Sequence, residues 1–178
     1  QEFGRNIKIP NPISVTLTMK QTSGPEQTYT TVKTRKIDRV KGTWTYTTLG
    51  NRHTTHIHRI DEIDGQVNLR WFLNRLNKNV FGYGFTKYGK KLQVLPIQEC
   101  TGYDRIHYHL TLERPEHIHW IRFQDIIRKC WEKTPLGYNE IQIDKNIDRG
   151  WGQYITKFKM NGRYEDFIDY TNLVIIQK

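Results

Sequence analysis

Two histidines on either side of a tyrosine are the residues of this chain best placed to bind a metal ion. His107 and His109 lie two apart, and residues two apart on a β-strand point to the same face. Both imidazoles can therefore reach one ion while Tyr108 turns into the core. Glu99, a short hairpin upstream, would come from the neighbouring strand. Because two imidazoles and one carboxylate leave coordination sites open for water or a phosphate oxygen, the pattern predicts a catalytic metal site.

Four of the other five histidines form two further pairs at the same spacing, and His53 lies shortly before the first of these pairs. His56 and His58 lie in a threonine- and arginine-rich stretch that has no carboxylate before it at hairpin distance. His117 and His119 follow Pro115, where the chain is expected to leave its strand. We therefore predict that neither pair binds the catalytic ion.

A later stretch predicts a short helix that carries Tyr154 and Lys157 on neighbouring positions, three residues apart. Asp148 is a suitable N-cap for it. The apolar residues that follow at helical spacing are Trp151, Ile155 and Phe158. A tyrosine hydroxyl has a pKa near 10, so it becomes a nucleophile at neutral pH when its proton is removed or its target is polarised. A metal ion on a phosphate would polarise the target.

Together these motifs resemble those of the HUH endonuclease superfamily, named for its histidine-hydrophobe-histidine strand, and most closely its rolling-circle replication initiators. In that superfamily the paired histidines follow an acidic ligand, and a later helix bears a nucleophilic tyrosine, often as Tyr-x-x-Lys. Here His107 and His109 match the paired histidines, Glu99 matches the acidic ligand, and Tyr154 with Lys157 matches the tyrosine motif. The resemblance covers about residues 12 to 160, with a single tyrosine motif.

The resemblance implies an enzyme that nicks and rejoins single-stranded DNA at an origin or element end. Its metal ligands would hold Mn or Mg, and Tyr154 would attack the phosphate to give a 5′-phosphotyrosine and a 3′-hydroxyl. Lys157 would stabilise charge near the phosphate or assist the tyrosine proton, and Gln153 would orient the nucleophile. A helicase domain, which would lie outside this chain, or host replication proteins would be further partners.

Two alternative functions stay open at this point. A single-tyrosine transposase of the same superfamily uses the same chemistry, and its DNA partner and flanking domains distinguish it from an initiator. A non-catalytic module that binds single-stranded nucleic acid would retain basic and aromatic residues without needing the metal ligands and the tyrosine together. Metal-dependent cleavage distinguishes the module from the enzymes.

The periodicity predicts an α+β fold of the ferredoxin-like (split βαβ) type, an antiparallel sheet with helices packed on one face. Ile13 to Met19 alternates as a half-buried strand and is expected to be central; Thr43 to Thr48 is the alternative. Apolar residues at helical spacing predict a helix over 68–80. The later elements are expected at 92–100, 105–113, 123–131, 138–144 and 173–176, in addition to the tyrosine helix.

The formal charge of +10 predicts a polyanionic partner. The excess is marked in a stretch where aromatic residues alternate with basic ones, which suits phosphates and unpaired bases. The candidate DNA-binding residues there are Lys33, Arg35, Lys36, Arg39, Lys41, Trp44 and Tyr46. Residues 20–65 are expected to form a basic, β-rich insertion or long loop in a single domain that spans 1–178.

At 178 residues the chain is long enough to bury a core without disulfides or a structural metal. Its 2 cysteines, Cys100 and Cys130, do not form a disulfide or zinc pattern, which favours a reducing compartment. No apolar run is long enough for a transmembrane helix. The protein is therefore expected inside a cell, in bacterial or archaeal cytoplasm or in the host of a virus or mobile element.

Overall fold

A four-stranded antiparallel sheet with helices packed on one face organises the chain. The computed structural model describes residues 9–23, 34–38, 43–47, 58–99, 105–145 and 167–176. The strands are β1 (Pro12–Met19), β2 (Thr22–Ser23), β3 (Thr34–Asp38), β4 (Thr43–Thr47), β5 (His58–Arg59), β6 (Val94–Glu99), β7 (His107–Glu113) and β8 (Gly137–Asp144). The helices are α1 (Glu62–Phe81), α2 (Tyr83–Tyr88) and α3 (Trp120–Glu132).

The order of the main sheet is β6-β7-β1-β8, and each neighbouring pair is antiparallel. Helix α1 connects β1 to β6, and α3 connects β7 to β8. This is the order of a split βαβ fold, because β7 is inserted between the two strands that α1 joins. The predicted α+β class and the central position of the strand at Ile13 to Met19 are both confirmed.

Side-chain alternation along the strands separates a buried face from an open one. On β1, Val15 and Leu17 are fully buried beneath the helices, whereas Thr16, between them, lies on the opposite face. On β7, Tyr108 points into the core as predicted. The large side chains that fill this core include Phe72, Leu69, Leu76, Leu110, Leu112, Phe123 and Trp131. In the described ranges the helices cover one face of the sheet, and the polar residues of the strands lie on the other face.

Helix α1 begins six residues before its predicted start because Asp61 caps it. The Asp61 side chain accepts a hydrogen bond from the backbone N–H of Asp64, and Asp64 accepts one from the N–H of Asp61 in return. Gly82, at φ 51°, ends α1, and Gly89, at φ 65°, ends the short α2, which was not predicted. Among the helices of the described ranges, none is long and apolar enough to cross a membrane.

Four short strands occupy the described parts of residues 20–65. Strands β3 and β4 pair as an antiparallel ladder, and β2 pairs with β5. Residues Ile168 and Val174 form isolated bridges with Ile97 and Val94 on the outer side of β6, and only Val174 lies within residues 173–176, where a short last strand was expected.

The buried carboxylate of Asp169 holds residues 167–176, which we call the returning segment, in place beside β6. Asp169 is 2% exposed and accepts hydrogen bonds from the backbone N–H and hydroxyl of Thr171, the amide of Asn172 and, at 3.4 Å, the hydroxyl of Tyr108. Burial and the charge of Asp169 raise the pKa of Tyr108 well above its ordinary value, so the hydroxyl stays protonated as a donor. The network joins the segment to the sheet.

We expect Asp169→Ala to lower the free energy of unfolding by about 2 to 4 kcal/mol, because it leaves buried donors of Tyr108 and Asn172 without their acceptor. Guanidinium unfolding measured by circular dichroism would test this. Tyr108→Phe, which removes one donor and leaves the carboxylate with its other partners, should cost about 1 kcal/mol. An Asp169→Ala loss below about 0.5 kcal/mol would contradict the network's structural role.

Candidate metal centre

The three predicted metal ligands lie together on the open face of the sheet. In the register of β6 and β7, Glu99 lies directly opposite His107, and His109 follows two positions further along the same face. On the other side of β7, Thr18 lies opposite His107 and Thr16 lies opposite His109. Three neighbouring strands therefore place two imidazoles, one carboxylate and two hydroxyl groups within one region of the surface.

His109 is the most strongly held member of this group. Its Nε2 lies 2.8 Å from the carboxylate of Glu99, and its Nδ1 lies 3.2 Å from the hydroxyl of Thr16. Only 8% of His109 is exposed, so its ring is confined between its two neighbours. The Nδ1 of His107 contacts the hydroxyl of Thr18 at the same distance of 3.2 Å. Each imidazole is thus oriented by a threonine of β1.

These contacts fit the requirements of a divalent metal site. Histidines that bind a metal usually donate their second ring N–H to a fixed acceptor, and a threonine hydroxyl can accept such a bond from Nδ1. The 2.8 Å between His109 Nε2 and Glu99 Oε2 is also close to the roughly 3 Å that separates two donor atoms at right angles on one ion. Within the described ranges, no three His, Cys, Asp or Glu side chains are grouped closely enough to hold an ion as they stand. Binding of one ion by Glu99, His107 and His109 would therefore require at least one of these three side chains to rotate.

An open pocket of about 590 Å³ lies against this group. Strand β8 forms its far wall, and that wall is polar and acidic. The residues that line the pocket are Thr16, Thr18, Glu99, His107, His109, Asn139, Glu140, Ile141 and Gln142. The pocket is large enough for a phosphate group and part of a nucleotide, and it places such a ligand beside both histidines.

Arg105 brings a positive charge to the edge of the pocket. Its neighbour Ile106 is buried in the core, so Arg105 lies on the open face in line with the histidines. Its guanidinium lies 3.9 Å from the ring centre of Tyr138 and 3.9 Å from the carboxylate of Glu140, both on β8. Because the ion pair is long and partly exposed, it is weak, and the guanidinium can exchange this partner for a phosphate.

The remaining histidines have different surroundings. His117 Nε2 lies 3.4 Å from the backbone carbonyl of Val80, and its ring packs near Phe81 at the end of α1. His119 is the N-cap residue of α3. His58 lies on β5, paired with Ser23, and His56 lies outside the described residues.

The predicted tyrosine motif lies outside the described ranges, and the predicted DNA-binding stretch lies partly outside them. The tyrosine motif, with Gln153, Tyr154 and Lys157, is outside them, as are Lys33, Arg39 and Lys41. Strands β3 and β4 carry the rest of the basic stretch. In their ladder Arg35 lies opposite Tyr46, Lys36 opposite Thr45, and Ile37 opposite Trp44.

Three site residues, Thr16, Thr18 and Arg105, were not singled out from the sequence. The threonines belong to the alternating strand that was expected to be central, and that alternation places them on the face opposite the core. Arg105 could have been found by extending the period of two backwards from His107. Contact of the threonines with the histidines depends on the register of two strands far apart in the chain, which periodicity alone does not provide.

Comparison of the chain with protein-family models, with curated proteins and with solved structures gives no match.

Proposed function

We propose that this protein is a metal-dependent nuclease that nicks and rejoins single-stranded DNA through its own tyrosine, as rolling-circle replication initiators of the HUH superfamily do. The observation that supports the proposal most directly is the group formed by Glu99, His107 and His109 on the open face of the sheet, beside a pocket. Among the described residues, α1 and α3 pack on the opposite face of the sheet, and the pocket beside the histidines would receive the DNA strand.

Glu99, His107 and His109 would hold the metal ion, either Mn²⁺ or Mg²⁺. When bound, the ion would polarise a non-bridging oxygen of the scissile phosphate and so make the phosphorus more electrophilic. Thr16 and Thr18 keep the two imidazole rings oriented through their Nδ1 atoms, which reduces the entropy lost when the ligands are ordered.

Arg105 would anchor a phosphate of the bound strand at the edge of the pocket. The pocket wall on β8 contributes Glu140, and the opposite wall contributes Glu99, so a polyanion needs a compensating cation at this place. Arg105 already lies there on the ring of Tyr138. Exchange of Glu140 for a DNA phosphate would give the guanidinium a bidentate partner and help to position the strand.

Tyr154 would be the nucleophile. Its hydroxyl oxygen forms a bond to phosphorus, the bond from phosphorus to the 3′ oxygen breaks, and the released oxygen takes a proton to become a 3′-hydroxyl. The tyrosine proton passes to water, and the ammonium of Lys157 would assist its loss by stabilising the negative charge that develops near the phosphate. Attack of that 3′-hydroxyl on the 5′-phosphotyrosine reverses each step, so rejoining needs no external energy source.

The ends of the described chain on each side of the tyrosine motif are consistent with this role. Lys145 follows β8 at one edge of the sheet, whereas Ile168 lies beside β6 at the other edge. The motif is therefore tethered to both edges of the sheet that carries the histidines.

The test is incubation of the protein with a library of single-stranded DNA and Mn²⁺, followed by denaturation and sequencing of the DNA that stays attached. We expect a covalent adduct that forms on a defined sequence and that does not form when EDTA is present from the start. Single-stranded DNA that binds reversibly, with no adduct on any sequence, would favour the non-catalytic module instead. Trapped sequences that match transposon ends would favour the transposase.

A further inference from the structure

After the first turn of α1, which contains Glu62 and Asp64, the rest of α1, α2 and the loop before β6 carry positive charge without negative charge. Between Asp64 and Glu99 the sequence contains six lysines and arginines and no aspartate or glutamate. These residues are Arg70, Arg75, Lys78, Lys87, Lys90 and Lys91. A region of this length with a net positive charge attracts a polyanion.

Helix α2 places two exposed tyrosines around one of these lysines. Tyr83 and Tyr88 are each 65% exposed, and their rings pack edge to face with centres 6.0 Å apart. The ammonium of Lys87 lies 5.2 Å from the centre of the Tyr83 ring and 5.5 Å from that of Tyr88. We call these three residues the α2 cluster. Its rings bury little surface, so packing of the core does not account for them.

The α2 cluster lies away from the candidate metal centre. The first turn of α1 contacts Gln98, which precedes Glu99, whereas Asn77 near the other end of α1 contacts Leu92, which precedes β6. A helix of 20 residues is about 30 Å long. The cluster follows the far end of α1, so a group bound there does not reach the histidines.

We propose that the α2 cluster is a second binding surface for single-stranded DNA, remote from the candidate metal centre. The tyrosine rings would stack on unpaired bases, and Lys87, with the neighbouring Lys90 and Lys91, would contact the phosphates. The exposed tyrosine rings favour a single strand over a duplex, because the faces of paired bases are stacked inside the duplex and cannot contact the rings. The choice of DNA over RNA rests on the proposed function.

The test measures fluorescence anisotropy of labelled oligo-dT of 20 nucleotides in EDTA, so that neither cleavage nor the metal centre contributes. We expect Tyr83→Ala/Tyr88→Ala to weaken binding by roughly 30-fold or more, since two stacked bases lose their rings. Tyr83→Phe/Tyr88→Phe keeps both rings and should bind like the unchanged protein. Thermal unfolding should show little change, because both side chains are exposed.

Matched variants elsewhere on the surface provide the controls. Tyr170 is 56% exposed and belongs to the returning segment beside β6, so Tyr170→Ala should leave oligo-dT binding unchanged. Lys129, which is exposed on α3, provides the control for removal of the positive charge of Lys87. Lys87→Gln should weaken binding and reduce its salt dependence more than Lys129→Gln does.

Unchanged affinity of the double alanine variant, or an equal loss in Tyr170→Ala, would overturn the proposal. An equal loss on a 20-base-pair duplex would overturn the stacking role, and a loss on oligo-U alone would assign the surface to RNA. Failure of the proposed nuclease is detected separately, because the unchanged protein would then form no covalent DNA adduct in Mn²⁺ whatever the result at α2.

Discussion

The His109→Ala variant is expected to lose metal-dependent cleavage of single-stranded DNA by more than about 100-fold, since even residues that only support a metal ligand typically contribute 10- to 100-fold. His109 contacts Glu99 through Nε2 and Thr16 through Nδ1, so its removal eliminates one predicted ligand and leaves the Glu99 carboxylate without its nearest partner. Cleavage of a labelled oligonucleotide in Mn²⁺ would measure the loss of activity. Calorimetric titration with Mn²⁺ would measure the loss of metal binding.

His117→Ala is the matched control for this variant. It also removes a histidine, but an exposed one that lies against Val80 and Phe81. It should keep cleavage and Mn²⁺ binding close to their original values. If His117→Ala loses activity and His109→Ala keeps it, the wrong histidine pair has been assigned. Circular dichroism of both variants separates loss of a ligand from loss of folding, because His109 is itself buried.

Tyr154→Phe is expected to abolish covalent attachment of DNA while changing oligonucleotide affinity by less than about 2-fold. The substitution removes the attacking oxygen and keeps the ring, so only the step that forms the bond to phosphorus is lost. The measurement is a gel shift that survives denaturation. Tyr164→Phe and Tyr170→Phe should still form the adduct, because these tyrosines follow too late in the chain to share the motif's helix. An adduct formed by Tyr154→Phe would reject the assigned nucleophile.

Much of the main sheet could be predicted because its strands alternate in polarity. The period of two placed Tyr108 in the core and the two histidines on the opposite face, as the structure has them. The start of α1 was harder to predict from the sequence. Its first turns carry Gly65 and the exposed apolar residues Ile63 and Val67, so the buried stripe becomes continuous only at Leu69. The capping pair at Asp61 and Asp64 was the signal that would have located it.

Contacts between distant strands were beyond prediction from the sequence. Thr16 and His109 are 93 residues apart, and their meeting depends on which strand pairs with β1 and in which register. Helix α2 was missed for a different reason. It has 6 residues, no buried side chain and a glycine at each end, so it lacks the apolar periodicity from which helices are recognised.

The position of β1 in the sheet also governs the order in which the protein can be assembled during synthesis. Both partners of β1, strands β7 and β8, lie far downstream, and 93 residues separate Thr16 from His109. At about 5 to 20 residues per second, a ribosome needs roughly 5 to 20 s to produce that interval. During this time β1 has no strand to pair with, and an unpaired apolar strand promotes aggregation. A nascent-chain chaperone would therefore bind at β1, and the threonines would meet the histidines late in folding.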